Sequence, residues 1–155
     1  MKYTNLGKTG LSVSTLGFGC MRLPEEDGKV LRELSRPLLR RAVELGINYF
    51  DTAIEYCNGE SQAALGEALS GLRGRAIIST KNHQHRAAAG EWRRYLEDSL
   101  ELLRTDYIDI YSHHGISWEI FRKYLDPGKG GLTREMLRAK EEGLVRHIGF
   151  SFHDE

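Results

Sequence analysis

Four side chains in this sequence have the types that one proton transfer needs, and each follows a short β-like run. Asp51 closes Tyr49-Phe50-Asp51, and Tyr56 stands just beyond it. Lys81 follows Ile77-Ile78-Ser79-Thr80, and His114 follows Tyr107-Ile108-Asp109-Ile110-Tyr111. Reduction of a carbonyl needs a proton donor beside the oxygen while hydride arrives at carbon. A free tyrosine titrates near pH ~10, too high for ready donation at neutral pH. A neighbouring ammonium favours the phenolate and eases release of the proton. A carboxylate beside the lysine keeps that ammonium charged and in place. Tyr56 as acid, Lys81 as its tuner and Asp51 as the lysine's partner therefore form a coherent set, with His114 orienting the carbonyl through a neutral imidazole donor. Taken singly, each has an ordinary reading: a packed loop tyrosine, a solvated strand-end lysine, a satisfied His113-His114 pair. The set is more specific than its members, because four types used by one reaction recur at the ends of successive strands.

The elements that must carry these residues alternate in type. Strand candidates begin near Leu16, Tyr49, Ala76, Tyr107 and His147, a spacing typical of repeated βα units and a parallel sheet. Amphipathic helices fill the gaps. Leu38, Leu39, Ala42, Val43 and Leu45 share one face, with Ser35 expected as the cap and Gly46 as the stop. Ala64, Leu65, Ala68 and Leu69 repeat the pattern up to Gly71. Trp92, Tyr95, Leu96, Leu100 and Leu103 predict a helix over residues 90–104, and Met136-Leu137 a short one ending at Gly143. Before the first unit, residues 3–15 read as a hairpin around Gly7-Lys8-Thr9-Gly10. Asp126-Pro127-Gly128-Lys129-Gly130-Gly131 reads as a loop. The expectation is one partial α/β barrel domain over residues 1–155, with an open five-stranded parallel sheet as the structural alternative. In both, ligands bind at the C-terminal ends of the strands.

The chain has 155 residues, with 22 basic and 22 acidic side chains and no formal net charge. That balance gives no support to nucleic acid or an anionic membrane surface as a partner. No apolar run is long enough to span a membrane, and no signal-peptide pattern opens the chain. Cys20 and Cys57 lack metal-type spacing and read as free thiols of a reducing cytoplasm. His83-Gln84-His85 reads as a pair of loop histidines, so no metal is expected. No Gly-x-Gly-x-x-Gly follows a strand, so a Rossmann-type nucleotide site is not indicated.

Several stretches together resemble the aldo-keto reductases, nicotinamide-dependent carbonyl reductases built on a (β/α)8 TIM barrel. Asn5 to Ser14 is similar to their opening hairpin, and Leu16-Gly17-Phe18-Gly19-Cys20-Met21-Arg22 to the first barrel strand and its cofactor-side loop. Gly46 to Ala53 with Tyr56 resembles the family's Asp/Tyr signature, Ser79-Thr80-Lys81 its lysine strand, and Asp106 to Tyr111 with His114 its histidine strand. Lys140 to Gly143 and Arg146 to Ser151 resemble the next helix and strand. The resemblance covers essentially the whole chain and implies that Asp51, Tyr56, Lys81 and His114 are the catalytic tetrad.

It further implies NADPH, or less often NADH, as the hydride source and a small carbonyl compound as substrate. Met21 and Arg22 would lie at the cofactor mouth, Ser151 at the nicotinamide carboxamide, and Trp118 at the wall of the substrate pocket. Phe152 stands where many members have asparagine. The stretch from Trp118 to Gly143 is most similar to a subgroup that often carries a C-terminal iron–sulfur segment, but no cysteine cluster is present. An eight-stranded barrel usually takes about 250 residues. Only about five βα strands are read here, so the expectation is a truncated barrel that keeps the proton-transfer half of the site. Its open edges would favour self-association. A binding or assembly module without turnover, and an inactive remnant, are the alternatives.

Overall fold

A computed structural model of the chain describes residues 1–153. The opening hairpin pairs β1 (Tyr3–Asn5) with β2 (Ser12–Ser14). Asn48 locks it to the body: its Oδ1 accepts from Ser14 N–H at 2.7 Å, and its Nδ2 donates to Ser12 O at 2.9 Å. The next strand, β3, is only Phe18–Gly19. A second hairpin, β4 (Glu25–Glu26) with β5 (Lys29–Val30), follows and is absent from the sequence reading. Asp27-Gly28, at φ +49° and +76°, forms its turn, a pair well suited to a two-residue hairpin.

Three βα units come next. α1 (Arg32–Glu44) leads to β6 (Tyr49–Asp51), α2 (Ser61–Ala68) to β7 (Ile77–Asn82), and α3 (Ala89–Leu102) to β8 (Ile108–Ile116). A short helical turn, α4 (Trp118–Ile120), runs into a wider π-type turn over Phe121–Leu125. α5 (Thr133–Glu141) then leads to β9 (Val145–Phe152). The central sheet has the order β3-β6-β7-β8-β9, and every pairing is parallel. Each crossover steps the same way, and α1 packs on α2 and α2 on α3. A doubly wound sheet would reverse direction at a switch point. Unbroken order with helices packed in sequence is barrel topology, and β3 and β9 form its two edges.

The core lies between the sheet and these helices. Phe50, Ile78, Ile108 and Tyr111 meet Leu39, Leu65, Trp92, Leu96 and Met136, all fully buried or nearly so. Gly66 lets α2 approach the end of α3, since a Cβ there would stand 2.4 Å from Leu102 O. Buried Asp109 ties three strands and the preceding turn. It accepts from Arg73 Nη2 at 2.7 Å, Ile78 N–H at 3.0 Å and Arg146 Nη1 at 3.2 Å. A buried carboxylate is tolerated when it is partnered this fully.

The first helix corrects two expectations. It begins at Arg32, so Ser35 is not its cap but an interior residue whose buried Oγ has no partner among the described residues. The Leu31 carbonyl accepts from Ser35 N–H at 2.9 Å, which starts the helix one turn early and leaves Pro37 inside it. The buried stripe is Ser35, Leu39, Ala42 and Val43, and this rotation exposes Leu38 and Leu45. Gly46, at φ +89°, does end the helix.

Candidate active site

The ends of β6 and β7 are staggered so that a carboxylate and an ammonium meet. Asp51 pairs in register with Ser79, two residues before Lys81. Lys81 reaches back across that stagger: its Nζ lies 2.5 Å from Asp51 Oδ1, donates to Thr52 O at 2.9 Å, and lies 3.3 Å from Tyr56 Oη. The same ammonium sits 4.8 Å from the centre of the Tyr56 ring. Lys81 is 9% exposed, so its charge is held by these oxygens more than by water.

The loop after β6 delivers the phenol. Thr52 N–H donates to Ser79 O at 2.8 Å and Ile54 N–H to Lys81 O at 3.2 Å, so the chain stays on β7 past the end of the strand. It then reverses through Cys57, Asn58 and Gly59, three successive residues at φ +52°, +54° and +88°. Left-handed conformations at non-glycine residues are uncommon and persist where the surroundings fix them. Here Ser61 Oγ lies 2.7 Å from Thr52 Oγ1 and donates to Cys20 O at 2.8 Å, all of it buried. Gln62 secures the next layer, donating to Thr80 Oγ1 at 2.7 Å and Ser99 Oγ at 3.2 Å.

His114 comes from β8, where pairing with β9 shifts register between His113 and Ile116 and Gly115 adopts φ +63°. Such an irregularity re-aims side chains at a strand end. The His114 ring stands edge-on to Tyr56, with centroids 5.6 Å apart. Its Nδ1 contacts Glu55 Oε1, and Glu55 Oε2 lies 3.0 Å from His83 Nδ1. Burial pushes the His114 imidazole below the ordinary histidine range; Glu55 opposes the shift and Lys81 adds to it. His113 points the other way, into the core beside Trp92, and burial lowers it to about 3. Burial raises the Cys20 thiol well above its usual range, so it is held neutral.

A cavity of about 600 Å³ opens over these groups. Tyr56, His114, Glu55, Met21 and Arg22 line it, with the Cys57-Asn58 turn at its side. The structure thus places Met21 and Arg22 on the same cavity as Tyr56 and His114. Ser151 lies on β9, where its Oγ accepts from Gly115 N–H at 2.7 Å. Trp118 is 62% exposed and lines a different, apolar cavity of about 410 Å³ with Ile116, Phe121, Phe150 and Phe152. Glu55 and the Cys57-Asn58 turn escaped the sequence reading. Adjacency to Tyr56 was the one signal available for Glu55, and its target, His114, is distant in sequence.

A phenol, an ammonium, a carboxylate and an imidazole thus meet at the C-terminal ends of consecutive parallel strands, the end at which barrel proteins carry their sites. Comparison with known proteins gives the family. Residues 15–154 match the model of the Aldo/keto reductase family, and the chain belongs to that family. An uncharacterised oxidoreductase of Bacillus subtilis, YqkF, is 32% identical over 97% of this chain and 49% of its own length. L-galactose dehydrogenase of Arabidopsis thaliana is 34% identical over 94% of this chain and 47% of its own. Among solved structures, the holo form of an aldo-keto reductase from Bacillus halodurans superposes with TM-score 0.82 at 33% identity, covering 98% of this chain and 50% of that one. An aldo/keto reductase from Klebsiella pneumoniae, solved with NADP and acetate, gives 0.77 at 28% identity, over 94% and 48%. The chain spans about half the length of the curated relatives it matches. No helix among the described residues is long and apolar enough to cross a membrane.

Proposed function

We propose that this chain carries the proton-transfer site of a nicotinamide-dependent reductase that converts aldehydes or ketones to alcohols. The observation that supports this reading best is Lys81 Nζ, placed 2.5 Å from Asp51 and 3.3 Å from Tyr56. Tyr56 gives its proton to the carbonyl oxygen. The Lys81 ammonium stabilises the phenolate that remains, and Asp51 holds the ammonium in place. His114, on the same cavity, orients the carbonyl.

The cavity wall suits one end of a nicotinamide nucleotide. Met21 offers an apolar thioether to a flat ring and Arg22 a guanidinium to an anion, and both line the cavity beside Tyr56. NADPH, with NADH as the less common choice, supplies hydride to the carbonyl carbon when bound. Ser151 would hold the carboxamide. Its Oγ already accepts one backbone hydrogen bond, and its hydroxyl proton is the group left to donate. Trp118 would wall the apolar cavity as a substrate subsite.

The test is NADPH oxidation with a reactive aldehyde, comparing the chain with Tyr56→Phe. Loss of the general acid should lower turnover by about 10²–10⁴-fold. Equal turnover in the two proteins would overturn the assignment.

A second reading draws on the open sheet. Among the described residues β3 and β9 are unpaired on their outer sides, and Phe150 and Phe152 are exposed at the β9 edge. In this reading the chain is an assembly module that associates with itself and has no turnover alone. A monomer in sedimentation equilibrium would exclude it.

A further inference from the structure

Glu55 stands immediately before Tyr56 and has no part in the tetrad. Both of its carboxylate oxygens are nonetheless engaged, one on His114 Nδ1 and the other 3.0 Å from His83 Nδ1. His83 follows β7 and His114 lies in β8, so one carboxylate from the β6 loop spans two strand ends. The buried His114 Nδ1 makes no hydrogen bond of regular geometry among the described residues; its close contact is the Glu55 carboxylate. The ring as a whole lines the cavity that Tyr56 also faces.

We infer that Glu55 is a positioning residue that fixes the His114 ring proton on Nδ1 and so sets what Nε2 offers to the cavity. The inference rests on reading the cavity as a carbonyl-reducing site. A carboxylate only accepts, so the nitrogen it touches keeps the proton. In the neutral ring Nε2 then carries a lone pair and accepts. Only the imidazolium presents an Nε2–H that can donate to a carbonyl oxygen. This differs from a neutral imidazole donor, which would need the opposite tautomer.

The pH dependence has a definite sign. The groups facing His114 are Glu55 and Tyr56 from the β6 loop and Lys81 and His83 from β7 and its end, while His85 Nε2 lies 2.6 Å from the His114 carbonyl. Glu55 favours the imidazolium; burial and Lys81 oppose it, and the balance lies below the usual histidine range. The Nε2–H donor is therefore present on the acid side and is lost as pH rises through that lowered value. An amide in place of the carboxylate reverses the logic. Its NH₂ can donate to Nδ1, the ring proton moves to Nε2, and an Nε2–H donor persists on both sides of the titration.

Ring nitrogen NMR of the whole chain, with His114 assigned by comparison with His114→Gln, tests this without turnover. The neutral wild-type ring should be protonated at Nδ1. Glu55→Gln should convert it to the Nε2–H form and shift its titration further toward acid. A cooperative thermal transition checks that the variant is folded. A wild-type Nε2–H ring, or an unchanged ring in Glu55→Gln, would overturn the inference. In assays, wild-type KM for the aldehyde should rise as pH crosses the His114 titration, and the rise should vanish in Glu55→Gln. If the NMR result holds and Tyr56→Phe leaves turnover unaltered, the carbonyl reading fails while the Glu55–His114 pairing stands.

Discussion

The two tryptophans mark two differently built corners of the molecule. Trp92, on α3, is fully buried and lies edge-on to Tyr111 at 5.6 Å beneath β8. Its corner leads outward through His113 and the strand ends to Asp51, Tyr56, Lys81 and His114, where Lys81 pairs with Asp51 and Glu55 meets His114. Trp118 is stacked on Phe121 at 5.5 Å, close to the exposed Phe150 and Phe152 of edge strand β9. That second corner is apolar and open. The difference follows from connectivity: these four residues are brought together by three consecutive strands that pair in turn, whereas among the described residues β9 has a partner on one side only. Closure at the first corner comes from local pairing; the aromatic face at the second is left exposed.

Four outcomes would sharpen or break this contrast. The largest concerns acid. His113 is neutral and buried, and its titration is held near 3 against an ordinary value of 6.5. The unfolded chain therefore binds the extra proton first, so stability should fall as pH drops from about 6.5 toward 3, by up to about 4–5 kcal/mol from this group. Thermal melting across that range should show the loss, and His113→Gln should flatten it. A wild-type profile as flat as the variant's would remove His113 from the account.

Next in size is Trp92→Ala, which should destabilise the chain by about 3–5 kcal/mol, measured by urea unfolding. A cost below about 1 kcal/mol would mean that the tetrad corner does not depend on that packing. Lys81→Met should lower NADPH-dependent turnover by about 10²-fold or more while leaving the fold cooperative. Retained activity would detach the ammonium from the phenol's role. The smallest expected effect is that of Trp118→Ala on stability, within about 0.5 kcal/mol, because the side chain is largely in water. Its effect on binding of an apolar dye should instead be plain, and an unchanged dye signal would mean that the aromatic face is not the adhesive one.

Much of the fold was legible because periodicity survives without knowledge of contacts. The strands at Tyr49, Ile77, Ile108 and Val145 fall within two residues of the expected starts, and α3 and α5 fall where their apolar spacing puts them. The misses have local causes. Ser35 looked like a cap because of its type, but the Leu31 carbonyl began the helix a turn earlier. Asp27-Gly28 was a readable hairpin signal between two very short strands, too brief to show alternation.

The sequence by itself determined the identities and the order: an acid and a phenol, an ammonium, and an imidazole, carried in turn by three successive parallel strands or the loops after them. Strand periodicity places such residues at one edge of a sheet without any tertiary information. Tertiary structure alone decided their distances and partners. The stagger of β6 against β7 brings Asp51 and Lys81 within 2.5 Å, and the left-handed turn at Cys57-Asn58 swings Tyr56 over the ammonium. It also decided that Glu55 meets His114, and that Trp118 faces an apolar cavity apart from the tetrad. Those outcomes depend on register and loop geometry, which pair residues far apart in the chain and leave no periodic trace in it.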